Sequence, residues 1–398
     1  MSNNNSWQKV RFYEICKNIS DRIDDPKQAD TDYYVGLEHL DSEDPKISRH
    51  GSPQDVSKTK LLFKSGHILF GKRNWYLRRL AVAQREGICS AHMLVLEPIE
   101  GKITKEFLPL LMFSDDFFEK ALMVSAGSMS PTIKWKDLAS LQFFLPPIEQ
   151  QENILSITDK IDQTISDAQN LLEKTKNYMV SRRELLLTRG IGHTKFKKVP
   201  WYYGKTIEIP EEWELQQLGN FMEIKMGQSP PSASYNDKNE GLPFYQGVTD
   251  FENIYPNATM WCTDPKKIAN KNEILFSVRA PVGEINITKD KCCLGRGVAS
   301  LNPLENNLLY CFYLILNNKN NFLNFQQGTT FTAINQNELS SIKIPFTSNK
   351  EEQQKIMSIL TNINKQITQQ QSHLTNLKVL RKSILNSRLT KEKTNVIN

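Results

Sequence analysis

Apolar positions fall seven residues apart through two long stretches of this chain. From Glu149, "EQQENILSITDKIDQTISDAQNLLEKTKNYMVSRRELLLTR" sets Ile154, Ile161, Ala168 and Thr175 in one series, and Ile165, Leu172, Met179 and Leu186 in another. The later "EEQQKIMSILTNINKQITQQQSHLTNLKVLRKSILNSRL" does the same with Ile356, Ile363, Gln370, Leu377 and Ile384, and with Leu360, Ile367, Leu374 and then Arg381. Neither stretch contains proline or glycine. Heptad spacing maintained this long predicts paired helices with a narrow apolar seam. The expected seam is Ile154, Ile161, Ile165, Leu172 and Met179 on one helix and Ile356, Leu360, Ile363, Ile367, Leu374 and Leu377 on the other. Forty residues at the helical rise make a rod of roughly 60 Å.

Elsewhere the pattern is of short strands, as in "LLFKSGHILFG", "HMLVLEP", "NEILFSV" and "VGEINIT", broken by turn signals and short helices such as "LLYCFYLILNN". No long strand–helix–strand series appears, so the globular parts are expected to be α/β of the mixed α+β kind. "LPP" at 145–147 separates the first such part from its helix. The boundaries read as a globular domain over 1–147, a central long helix over 148–195, a second domain over 196–345, a C-terminal long helix over 346–390 and a flexible tail over 391–398.

The chain is written twice. Ile68, Leu69, Phe70 and Arg73 recur as Ile274, Leu275, Phe276 and Arg279 at a shift of 206, and Trp7 recurs as Trp213 at the same shift. Gly127, Ile133, Leu138 and Leu141 match Gly328, Ile334, Leu339 and Ile342 at a shift of 201. Ile154, Ile161, Ile165 and Leu172 match Ile356, Ile363, Ile367 and Leu374 at a shift of 202. A duplicated domain-plus-helix suggests a fused two-fold dimer, with two similar domains separated by an antiparallel coiled coil. The repeat also disposes of a lookalike. "GHILFGKR" at 66–73 mimics a phosphate-binding loop, but the second copy has Asn272 and Ser277 where its glycines stand. Ile-Leu-Phe reads as a buried strand, not a pliable anion cradle. What persists is a strand followed by a basic turn.

Composition narrows the class. With 24% charged and 39% hydrophobic residues among 398, this is a soluble globular composition with room for two domains. The first residues, MSNNNSWQKV, contain no signal-peptide core, and no apolar run approaches membrane-spanning length, so no membrane association and a cytoplasmic setting are expected. The six cysteines form no Cys-x-x-Cys pair and the six histidines no His-x-x-x-His, so no metal site is expected. Cys292 and Cys293 are neighbours and should face opposite sides of a strand.

The formal charge of +6 matters only where it clusters. Lys64, Lys72, Arg73, Arg78 and Arg79 interleave with Trp75 and Tyr76, while the second copy offers Lys271, Arg279, Lys291 and Arg296. Basic side chains beside aromatics suit a nucleic-acid face, so these are the candidate DNA-binding residues. Catalytic signatures are missing. No Asn/Asp-Pro-Pro-aromatic loop, Gly-rich methyl-donor loop, nuclease carboxylate–lysine motif or Gly-x-Ser-x-Gly elbow is present, and no catalytic residue is expected.

In combination, "FKSGHILFGKRNWYLRRLAVAQREGICSAHMLVLEP", "EILFSVRAPVGEINITKDKCCLGRGVASL", "LPPIEQQENI" and "EEQQKIMSIL" resemble the specificity subunit of type I restriction–modification systems over essentially the whole chain. The second helix entry, "IPFTSNKEEQQ", departs from the usual pattern by lacking paired prolines. The resemblance implies a non-catalytic subunit whose two target-recognition domains each read one half of a split site on double-stranded DNA. The helices would set the spacer and hold two DNA adenine methyltransferase subunits, and motor–nuclease subunits would join them. S-adenosylmethionine, ATP and Mg would then belong only to those partners. A rod of roughly 60 Å would suffice to hold two readers one DNA turn, about 34 Å, apart. The site should be asymmetric, since Lys72 faces Val278 at equivalent positions. The competing reading is a coiled-coil adaptor that tethers proteins without touching DNA.

Overall fold

The computed structural model describes residues 6–127, 130–252, 254–319 and 333–389. The expected tail, 391–398, and Gly328 of the repeat lie outside them. The chain divides into two compact units, one comprising residues up to Gln169 together with those from Ser372 onward, the other Asn170–Gln371. Each long helix contributes residues to both units.

In the first unit, strand Gln8–Arg11 pairs antiparallel with Gln142–Leu145. An antiparallel sheet follows in the order Cys16–Ile19, Met93–Pro98, Ile68–Gly71, Leu80–Val82. A second sheet runs Arg22–Ile23, Lys60–Phe63, Gly87–Cys89, Tyr34–Val35, its last pair parallel. The repeated Ile-Leu-Phe explains how the sheets stack. Ile68 and Phe70 enter a core shared with helices Phe107–Met112 and Asp115–Met123, while Leu69 enters the core beneath the second sheet. Alternate side chains of a strand leave opposite faces, so a strand covered on both sides must be apolar throughout.

The second unit repeats this plan. Glu214–Gln217 pairs with Lys343–Phe346, and the antiparallel sheet runs Met222–Met226, Val298–Pro303, Ile274–Ser277, Ile285–Ile287. The other sheet has five strands, Tyr235–Asn236, Trp261–Cys262, Leu242–Tyr245, Cys292–Leu294 and Ile268–Ala269, again with one parallel pair. Ile274 and Phe276 face one core and Leu275 another. Cys292 and Cys293 likewise part to opposite faces, and all six cysteines are buried free thiols. The duplication extends to single hydrogen bonds: Phe12 N–H donates to Leu141 O at 2.9 Å, and Leu218 N–H to Ile342 O at 2.8 Å.

The central helix spans Ile148–Arg189 and the C-terminal helix Lys350–Leu389. Both are shorter than expected, for local reasons. The central helix stops at Gly190, whose φ of +64° ends it, not at 195. The C-terminal helix starts after strand Lys343–Phe346, not at 346, and Asn349 opens it: its side-chain oxygen accepts from the N–H groups of Glu351 at 3.0 Å and Glu352 at 3.2 Å.

Within the first unit, Ile154 packs with Leu385 and Leu389, and Asp162 meets Arg381. Within the second, Met179, Leu186 and Leu187 pack with Ile356, Met357, Leu360 and Ile363. Early residues of one helix meet late residues of the other, so the pairing is antiparallel. Along the expected seam Ile154, Ile165, Leu172, Met179, Ile356, Leu360 and Ile363 are buried, whereas Ile161, Ile367, Leu374 and Leu377 are half-buried. Each fully covered aliphatic side chain contributes about 1.5–3 kcal/mol. Among the described residues no helix is long and apolar enough to cross a membrane.

Candidate nucleic-acid interface

The basic turn after Ile68–Gly71 is built from three chain segments. Lys72 N–H donates to His92 O at 3.1 Å, Ile133 N–H donates to Lys72 O at 3.0 Å, and Arg73 makes an isolated antiparallel bridge with Thr132. The second unit makes the same corner. Val278 N–H donates to Gly297 O at 3.0 Å, Ile334 N–H donates to Val278 O at 2.8 Å, and Arg279 bridges Ala333. Three backbone segments of equal rank therefore converge at one end of the four-stranded sheet in each unit.

The side chains differ. In the first unit Arg73 is exposed, with Nη2 3.4 Å from Ser130 Oγ, and Lys72 is half-buried. Burial, and then the nearby Arg22, holds the Lys72 ammonium below its ordinary pKa. Burial and then Arg73, Lys72 and Lys60 push the His92 imidazole down, and burial with Lys58 lowers Lys60. Burial is the larger cause in each case, and the neighbouring cations add to it. Among the described residues, none of Arg22, Lys58, Lys60, Lys72 and Arg73 forms an ion pair. A cleft of about 260 Å³ lies beside them, lined by Arg22, Lys72, Asp24 and Asn18, and the buried Asn18 Oδ1 has no partner there. The lining holds two cations to one carboxylate, and an excess of cations around a concave surface attracts polyanions and favours phosphate contacts.

In the second unit the position of Lys72 is taken by Val278, which is buried, and the exposed cations are Arg279 and Arg296. No ion pair holds either of them among the described residues.

Not every expected residue gathers at these corners. Lys64 precedes Ile68–Gly71 and Lys271 precedes Ile274–Ser277, so both stand at the opposite ends of those strands; Lys291 precedes Cys292–Leu294, whose far end leads to Arg296. Trp75 is buried, contrary to its expected exposure. It stacks on Phe118 with centroids 6.2 Å apart, and its Nε1 donates to Ser125 Oγ at 2.7 Å. Arg78 is occupied structurally, bonding Glu43 at 3.0 Å and Asp115 at 2.8 Å above the Phe118 ring. Arg79 is half-buried behind the sheet edge, its carbonyl accepting from Gly71 N–H at 2.9 Å. Tyr76 is exposed, the one aromatic of the pair available to a partner. Arg22, Lys60 and His92 join Lys72 here without standing among the candidates that the sequence offers. They lie up to 70 residues apart in sequence and meet only through sheet pairing.

Comparison with known proteins agrees with this layout. The family described as "Type I restriction modification DNA specificity domain" matches residues 4–177 and again 210–377. The putative type I restriction enzyme MjaX specificity subunit of Methanocaldococcus jannaschii is 35% identical over 352 residues, covering 85% of this chain and 80% of that one. A chain solved in work on the structural basis underlying complex assembly and conformational transition of the type I R-M system matches with a TM-score of 0.71 at 28% identity, over 96% of this chain and 97% of that one. The HsdS subunit from Thermoanaerobacter tengcongensis matches with a TM-score of 0.54 at 27% identity, over 96% of each. With two matches of the domain covering most of its length, on two units of the same topology, the chain belongs to the family of type I restriction–modification DNA specificity subunits.

Proposed function

We infer that each unit reads one half of a two-part, asymmetric site on double-stranded DNA through the corner at the end of its four-stranded sheet. The carrying observation is that both units build this corner from equivalent segments yet fill it differently, with Lys72, Arg73 and His92 in one and Val278, Arg279 and Arg296 in the other. Equal scaffolds with unlike side chains fit two half-sites of unlike sequence. Phosphate contacts position a reader and base contacts specify it. The long helices serve as the spacer between the two readings and as the dock for two DNA adenine methyltransferase subunits, to which motor–nuclease subunits add. The chain itself is non-catalytic and acts in the cytoplasm. S-adenosylmethionine, ATP and Mg belong to the partners.

The test is to map methylated adenines genome-wide in cells expressing this chain with its methyltransferase subunit. The expected product is a split motif with unlike halves. A palindromic motif, or none, would overturn the reading.

A further inference from the structure

The second unit's corner holds a turn with an unusual mount. Gly295, Arg296 and Gly297 join strands Cys292–Leu294 and Val298–Pro303. A Cβ on Gly297 would stand 2.3 Å from Gln246 O, and one on Gly295 would stand 2.8 Å from Gln246 Cα. From another side, a Cβ on Gly227 would lie 2.1 Å from Gly295 O and 2.4 Å from Val298 O. Backbone therefore lies directly on backbone, at distances only glycine permits. Hydrogen bonds lock the contact: Gly295 N–H to Tyr245 O at 2.9 Å, Gly227 N–H to Val298 O at 3.0 Å, and Gln228 N–H to Leu294 O at 3.0 Å.

This turn carries one side chain, Arg296, which is exposed and forms no ion pair among the described residues. Its immediate neighbours in the mount are Gln228 and Gln246, both exposed and both uncharged. A phosphate contact needs only charge on a pliable stem, which lysine supplies. An arginine whose backbone is fixed this way, on a turn next to Gln228 and Gln246, can offer its guanidinium to a base edge, arginine forking to guanine O6 and N7 and glutamine pairing with adenine. The matching turn of the first unit, Ser90-Ala91-His92, carries no arginine.

Resting on the reading of each unit as a half-site reader, we propose that Arg296 is a specificity-determining residue that recognises a guanine in the half-site read by the second unit. The Arg296 side chain is exposed and forms no ion pair among the described residues, so its substitution is expected to leave the fold intact.

The experiment compares methylation motifs for the wild-type chain, Arg296→Ala and Arg296→Lys, each expressed full-length with the methyltransferase subunit. Both variants are expected to become degenerate at one guanine of one half-site, with discrimination there falling about tenfold to a hundredfold and the other half unchanged. Lysine restoring methylation with an unaltered motif would identify a phosphate contact and overturn the proposal, as would unchanged motifs in both variants. A wild-type chain yielding no split motif would instead overturn the half-site reading beneath it.

Discussion

Arg381 interrupts the apolar series of the C-terminal helix, and its guanidinium bonds both carboxylate oxygens of Asp162 on the central helix, Nη2 lying 2.8 Å from Oδ2. A charged residue thus occupies a position where the heptad calls for leucine, and its partner lies opposite within the same unit. Asp162 is 44% exposed, so solvent screens the pair and the aspartate is not stranded when the arginine is lost. Arg381→Ala should cost about 1 kcal/mol, largely through lost stem packing. Arg381→Leu should stay within about 1 kcal/mol of the parent, because apolar replacement of an ion pair is often neutral. Denaturant midpoints for both variants check this, and a large loss with leucine would contradict it.

Glu352 gathers four donors in the second unit: His193 Nε2 at 2.8 Å, Trp213 Nε1 at 3.0 Å, Thr347 Oγ1 at 2.9 Å and the Ile191 N–H at 3.2 Å. Burial alone would raise its carboxyl, but these bonds outweigh burial and hold its pKa below the ordinary value. A depressed carboxylate pKa contributes stability above the unfolded value, lost as pH falls from about 4.3 through the folded value. At the equivalent place in the first unit stands Gln150, which accepts from Trp7 Nε1 at 3.0 Å and does not titrate. Hydrogen-exchange protection factors around Trp213 and Thr347, taken against the intrinsic rate at each pH, should therefore fall in acid. Glu352→Gln should cost about 1–2 kcal/mol at neutral pH and flatten the acid dependence. Equal acid sensitivity of the variant and the parent would refute this.

Lys72 and Val278 occupy one backbone position under opposite chemistry. The lowered pKa of Lys72 means its charged form is disfavoured by folding, so stability gained from deprotonation appears as pH rises. Lys72→Val should stabilise the first unit slightly at neutral pH while weakening binding to duplex DNA. The salt slope of that binding should fall by about one unit if Lys72 meets a phosphate. Val278→Lys would place an ammonium where valine is 2% exposed, at a cost on the order of 3 kcal/mol. Thermal denaturation and salt-dependent binding together decide the case.

Neighbouring aromatics should separate cleanly. Trp75→Ala empties a core site and should cost about 3–5 kcal/mol. Tyr76→Ala, at a side chain 55% exposed, should change stability by less than about 0.5 kcal/mol. Melting curves of the two variants distinguish them.

The same pair shows what sequence reading captures and where it stops. Ile68-Leu69-Phe70 and Ile274-Leu275-Phe276 announced strands covered on both faces, and the heptads announced paired helices, because burial writes itself directly into periodicity. Helix ends were less legible, since Gly190 and Asn349 act through local backbone geometry that a periodic count passes over. Trp75 stands among charged neighbours that suggest exposure, whereas its ring is buried within the turn that Asn74 and Arg78, both with positive φ, bracket. The repeat aligns Arg73 with Arg279, and the two occupy one backbone position in the two units. Arg22, Lys60 and His92 are not legible in the repeat, because only the pairing of distant strands brings them beside Lys72.

The glycine-bedded turn at 295–297 has a consequence for how such a molecule diversifies. Its shape is enforced by main chain resting on main chain, so the fold is indifferent to which side chain projects from the centre. Exchange of that single residue would change the letter being recognised without any repacking, and descendants of one scaffold could part ways in target by the smallest possible mutational step.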